Sequence, residues 1–206
     1  MSGRYPGKYL IGLTGNIAVG KSLVLEMLAG LGAGAIDADQ VAHQIMRRGE
    51  AAYDEIVPAF GAGILDDAGE IRRAALGKIV FADPARLQAL EGITHPAIRA
   101  RIDRLIRASA SGVVVIEAIK LLEGALKDVV DSVWVVDASP ATQRRRLMSE
   151  RGLSKSEAER RIALQNSQAD KLRQADVIIR NDGPIAETRA QVQRAWAEIA
   201  SPRGSL

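Results

Sequence analysis

Gly15-Asn16-Ile17-Ala18-Val19-Gly20-Lys21-Ser22 fits the phosphate-binding loop pattern of Gly, four residues, Gly, Lys, then Ser or Thr. Its flanks constrain the fold more than the match itself does. The apolar run Tyr9 to Leu13 leads into the loop, and Val24, Leu28 and Leu31 recur at helical spacing after Ser22. The chain must therefore pass from strand through loop into helix, which sets the loop at a helix N-terminus, where the backbone dipole attracts anions. Each residue type has a task. The glycines permit backbone angles that turn successive N–H groups toward phosphates, Lys21 reaches β and γ oxygens, and the Ser22 hydroxyl suits magnesium. The implied ligand is a purine nucleoside triphosphate with Mg²⁺, held along Gly15 to Leu23.

Four further apolar segments lack a helical period. One ends in Ala35-Ile36-Asp37-Ala38-Asp39, one runs Val113 to Ile116 and ends at Glu117, one runs Val133 to Val136 and ends at Asp137, and the last is Val177 to Ile179. With Tyr9 to Leu13 they make five short, β-branched, continuous runs, the pattern of strands covered on both faces. Helical patterns lie between them, so the fold class is α/β, a five-stranded parallel sheet with helices on both sides. About seventy-five residues separate the second run from the third, far more than one crossover helix needs. That stretch is an insertion, and Ile98, Ile102, Leu105 and Ile106 on one face of an arginine-rich segment make it helical. After the fourth run, Ser139-Pro140 and the Ser154/Glu157 pair predict the starts of two helices, broken near Gly152. A closing helix over 184–199 would turn Ile185, Val192, Trp196 and Ile199 inward. The expected organisation is a nucleotide-binding core (8–38, 112–140 and 176–200), a helical substrate domain (39–111) and a lid (141–175).

Composition narrows the function. With 206 residues the chain holds one domain plus an insertion, and 47% apolar residues suffice for an ordinary core. The net charge of +3 is too small for a dedicated nucleic-acid binder, and 3% aromatics cannot build a base-stacking platform. With no cysteine, thiolate metal sites, disulfides and a thiol nucleophile are excluded. The amino terminus lacks a signal peptide's apolar stretch, so the reading is a soluble, cytoplasmic protein with no membrane or obligate protein partner.

The strand ends carry the remaining candidates. Asp37 and Asp39 lie at the carboxyl end of the second strand, where open α/β sheets bind ligands, and would share one face if the strand continued. Carboxylates there can take a hydroxyl proton or hold magnesium, while an N-cap is the plain alternative for Asp39. Glu117 is the favoured second magnesium residue, because the third strand normally flanks the phosphate-loop strand, and Asp137 is read as a helix-start residue. Arg144, Arg145, Arg146, Arg151, Lys155, Arg160 and Arg161 crowd the segment after the fourth strand. They would neutralise charge on a transferring phosphoryl group or simply form a solvated face. A translation-type GTPase is excluded by the absence of Asn-Lys-x-Asp, and Asp66 to Gly69 reads as a polar turn. A small-molecule kinase fits better, with a substrate-side insertion and a basic lid.

The ordered set LTGNIAVGKS, IDAD, THPAIR, VVVIEAIKLLE, RRLMSERG and Ala175-Asp176-Val177-Ile178-Ile179-Arg180-Asn181 resembles the dephospho-CoA kinase family over about residues 9 to 195. The resemblance implies a P-loop, nucleoside-monophosphate-kinase-like fold that moves the ATP γ-phosphoryl group to the ribose 3′-hydroxyl of dephospho-CoA, the last step of coenzyme A synthesis. It implies Asp39 as general base with Asp37 structural, Lys21 on the phosphates, and Arg151 as the lid arginine while Arg144 to Arg146 stay solvated. It also implies Asn181 on the adenine side and a place for His95-Pro96 in the substrate domain, where a helix start fixed by Pro96 is the alternative. This chain departs from the commonest family pattern at Asn16, Ala18, Val19 and Leu23, at Lys120, which could meet a substrate diphosphate, and at Arg180. Its rivals are a kinase of another nucleoside or small metabolite, and a non-catalytic nucleotide-sensing module.

Overall fold

The computed structural model describes residues 4–124 and 126–200; Met1–Gly3, part of the amino-terminal stretch read above, lie outside them. All five expected strands form: β1 (Tyr9–Thr14), β2 (Gly34–Asp37), β3 (Val113–Glu117), β4 (Ser132–Asp137) and β5 (Val177–Arg180). Their order is β2-β3-β1-β4-β5, with parallel pairing of β1 to β3, β1 to β4 and β4 to β5. The phosphate-loop strand is thus central, and Leu13 stands level with both Glu117 and Trp134. Two long-range pairings fix β1 on both edges, so the loop that leaves it starts from a rigid point.

The chain divides into two compact units, Asp37–Ala108 and the residues before and after it. In the sheet-bearing unit, Ile11, Leu13, Val115, Trp134 and Val136 meet Val24 and Leu28 of α1 (Lys21–Gly30) and Val192 of α9 (Ile185–Ala200) in one core. The unit carries α6 (Pro140–Arg151), α7 (Lys155–Ala163) and α8 (Gln168–Arg173) after β4. Gly12 lets Leu121 pack against β1, since a Cβ there would lie 2.5 Å from the Leu121 Cδ2. Two expectations need correction here. Coverage on both faces holds for β1, β3 and β4, but in the edge strands Ala35 and Ile178 are exposed, because an outer strand has fewer elements to cover it. Ile185 is 56% exposed, whereas Val192 is buried and Trp196 and Ile199 pack on the core. As the first residue of α9, Ile185 has no preceding turn to bring it onto the core.

The helix starts read from sequence are present. Ser139 accepts from the Thr142 N–H ahead of Pro140, Ser154 accepts from the Glu157 N–H, and Gly152 ends α6 in the left-handed region at φ 63°. The sequence reading contained no third helix after β4, yet α8 forms, capped by Ser167, whose side chain accepts from the Asp170 N–H.

The other unit is helical, with α2 (Ala38–Gln44), α3 (Ala51–Phe60) and α4 (Arg73–Ala82) packed on the long α5 (Pro84–Ala108). Ile102 and Ile106 of α5 are buried, and Ile56, Leu76 and Val80 are the buried residues of its neighbours. Pro96 does not start a helix, because it lies within α5, whose first turn begins at Pro84. A proline at a helix start carries the same local signal whichever of two prolines supplies it. Asp66 to Gly69 is a turn, with the Asp66 carboxylate accepting from the Ala68 and Glu70 N–H groups and Gly69 at φ 77°.

Candidate active site

Between Thr14 and α1 the loop takes up the glycine-dependent conformation that its sequence requires. Gly15 has φ 148°, and a Cβ on it would stand 2.4 Å from the Val136 carbonyl oxygen. Gly20 has φ 94°, and its Cβ would stand 2.1 Å from Asn181 Nδ2. Gly20 is also the N-cap of α1, which has no side-chain cap and no acidic residue in its first turn. The helix therefore presents backbone N–H groups that no side chain of a cap covers, the arrangement that receives an anion. Lys21 is buried and folds its ammonium back across the loop, donating to the Gly15 and Asn16 carbonyls at 3.1 and 3.2 Å. Ser22 stands exposed in the first turn of α1. Ala18 is the sole non-glycine residue with positive φ among the described residues, at 57°.

Residues of the segment after β4 hold the loop from two directions. On one side, Gln165 and Gln168 accept from the Ile17 and Asn16 N–H groups at 2.7 and 3.2 Å, and Asn16 Nδ2 donates to the Asn166 carbonyl at 3.2 Å. Gln168 also donates to the Val136 carbonyl and the Asp137 carboxylate, at 3.1 and 3.0 Å. On the other side, Arg146 Nη1 donates to the Ala18 and Val19 carbonyls, both at 3.1 Å, and its Nη2 to the Asn181 carbonyl at 2.8 Å. Asn181 is buried; its Nδ2 donates to the Val19 carbonyl at 2.8 Å and its Oδ1 accepts from the Thr188 hydroxyl at 2.9 Å. Next to it, burial raises the Asp182 carboxyl, but bonds from Ser139 and Thr142 and the Arg146 charge outweigh this and hold it below the ordinary range.

Several candidates fall elsewhere than the sequence suggested. β2 stops at Asp37, so Asp37 and Asp39 do not share a strand face. Asp37 is the N-cap of α2, accepting from the Gln40 N–H at 2.9 Å, and Asp39 lies exposed in the first helical turn. Glu117 ends β3 beside β1, but Asp137 ends β4 on its other side, so adjacency to β1 does not separate them. Asp137 accepts from Gln168 and faces Arg180 at 3.5 Å, and it does not start α6, whose N-cap is Ser139.

Among the arginines, Arg146 is not solvated: it is half-buried on the loop. Arg144 pairs with Glu159 at 3.2 Å, and Arg145 and Arg151 are exposed. Lys120 and His95 are exposed as well. The loop contacts of Arg146, Gln165 and Gln168 were not foreseen from sequence. Three successive arginines point in nearly every direction around a helix, and uncharged glutamines in a polar segment give no pattern. Lys171, buried on α8, donates to the Ile119 carbonyl at 3.2 Å, where Thr14 Oγ1 also donates at the same distance. Burial lowers its ammonium from the ordinary value, against an opposing pull from Glu123.

Among the described residues no group of three or more His, Cys, Asp or Glu could hold a metal. One hydroxyl and one carboxylate nevertheless suit magnesium, which takes oxygen ligands and keeps several waters alongside substrate phosphates. The described residues likewise contain no helix long and apolar enough to cross a membrane.

Comparison with known proteins gives the chain's family and fold relatives. The family model described as dephospho-CoA kinase matches residues 9–187. A dephospho-CoA kinase of Symbiobacterium thermophilum is 46% identical over 198 residues, covering 95% of this chain and 83% of the relative. Among solved structures, a Thermus thermophilus protein superposes with a TM-score of 0.83 at 28% identity, covering 94% of this chain and 98% of its own. A dephospho-CoA kinase from Campylobacter jejuni gives 0.69 at 29% identity, covering 96% and 100%.

Proposed function

This chain belongs to the dephospho-CoA kinase family, and we propose that its phosphate loop holds ATP with magnesium while Asp39 activates the ribose 3′-hydroxyl of dephospho-CoA. The uncapped N-terminus of α1 behind Gly20, with Lys21 laid across the loop, is the observation that carries this reading. Within Gly15 to Leu23 the phosphates meet backbone N–H groups other than those of Asn16 and Ile17, which Gln168 and Gln165 hold, and the Lys21 ammonium neutralises the β and γ oxygens. Ser22 and Glu117 would hold the magnesium. When bound, the ion draws charge from the β and γ oxygens and so eases departure of ADP. Asp39 takes the hydroxyl proton, the 3′-oxygen bonds to the γ-phosphorus, and the bond to the β–γ bridging oxygen breaks. Catalysis is mainly positioning and electrostatics, as expected where the phosphoryl group needs little covalent help. A biosynthetic transferase of this kind fits the cytoplasm.

The test is acceptor-dependent ADP release, with dephospho-CoA, nucleoside monophosphates and shikimate offered in turn. Release specific to dephospho-CoA is the expected result. ATP binding with no acceptor-dependent release would favour a nucleotide-sensing module instead. In the same assay Arg151→Ala is expected to lower kcat by about 10²-fold or more, the scale of one lost charge-stabilising donor, and Arg145→Ala by much less. Equal small losses would return Arg151 to the solvated face.

A further inference from the structure

The Ala18 and Val19 carbonyls are the two acceptors that the Arg146 guanidinium and the Asn181 amide seize together. In a trans peptide the C=O of one residue and the N–H of the next point in opposite directions across one plane. Fixing the Ala18 carbonyl therefore fixes the Val19 N–H on the far side, and fixing the Val19 carbonyl fixes the Gly20 N–H. We propose that Arg146 is a positioning residue for nucleotide phosphate: with Asn181 it turns these two carbonyls inward and so turns the Val19 and Gly20 N–H groups outward, toward the anion. This rests on the reading of the loop as a phosphate site.

Three further features converge on the same clamp. Ala18 sits at φ 57°, which an alanine does not hold unaided, and its carbonyl is one of the two that Arg146 grips. The guanidinium is itself anchored, by Nη2 on the Asn181 carbonyl, whose own N–H donates to the Asp137 carbonyl at 2.8 Å. Gly20 admits no side chain because Asn181 Nδ2 would stand 2.1 Å from an added Cβ, with Arg146 Nη1 beside it in ordinary contact at 3.5 Å. The planar fork matters as well. One nitrogen serves the loop and the other serves Asn181, a division that a single ammonium cannot reproduce.

The experiment titrates the full chain calorimetrically with inorganic tripolyphosphate and, separately, with ATP. Arg146→Ala is expected to weaken both ligands by the same factor, about tenfold or more, the loss that follows from a charge-assisted bond removed. Dephospho-CoA affinity is expected to stay within about twofold, less than half a kilocalorie. A tripolyphosphate affinity within about twofold of wild type overturns the proposal, and a loss confined to ATP would place Arg146 on the base or ribose. Should Arg146→Ala fail to fold, Arg146→Lys keeps the charge but not the fork. It is expected to weaken both ligands by about threefold or more, and an unchanged tripolyphosphate affinity overturns the proposal equally. If the wild-type chain bound neither ligand, the phosphate-site reading beneath would fall first.

Discussion

Asp39→Asn is expected to fold as the parent does and to lose about 10²- to 10⁴-fold in kcat, the range that a positioned general base contributes. The fold should survive because Asp39 does not cap α2. That bond belongs to Asp37, whose carboxylate accepts from the Gln40 N–H. The Asp39 charge near the helix N-terminus is typically worth about 0.3–1 kcal/mol, and asparagine keeps its shape. Asp37→Ala supplies the opposite signature. It removes a cap and is expected to cost about 1 kcal/mol in stability, read as a lowered thermal midpoint. If Asp39→Asn retained a kcat near the parent's, Asp39 would not be the base.

The second large effect is Gly20→Ala. Its φ of 94° strains any L side chain, and the new Cβ would stand 2.1 Å from Asn181 Nδ2. A left-handed conformation costs about 1–2 kcal/mol and overpacking about 1–3, so a stability loss of about 3 kcal/mol and no measurable ATP binding are expected. Gly32→Ala separates the two contributions. Gly32 has a similar φ of 101° but nothing within 4 Å of an added Cβ, so it should lose only the backbone part, about 1–2 kcal/mol. Equal losses at the two positions in denaturant unfolding would show that crowding by Asn181 does not matter.

What sequence reveals here depends on how local the signal is. β1, the loop and α1 were legible because strand, glycine and helical period follow one another without interruption. Ser139-Pro140 and Ser154/Glu157 were legible for the same reason, since a cap is a contact between residues three apart. The roles at Asp37 and Asp39 were harder to assign, because they turn on whether β2 runs two residues further. That Arg146 meets the loop was not legible at all. Arg146 and Arg151 both lie on α6, a helix that is polar on nearly every side, and only the fold decides that Arg146 meets the loop while Arg151 stays exposed. Adjacency in the sheet also proved weaker than it looked, since a central strand has two neighbours and Glu117 and Asp137 end the strands on either side of it.

The bonds that shape the loop also fix when it can form. Val19 is held by Asn181, 162 positions later, and Ile17 by Gln165, 148 positions later. A ribosome adding about 5–20 residues per second exposes the loop many seconds before it supplies those partners. The earliest-made segment is therefore among the last to reach its working geometry. A nascent chain halted before Asn181 would carry the complete loop sequence yet lack the contacts that Asn181 makes with it, so such a chain is expected to bind nucleotide more weakly than the full one.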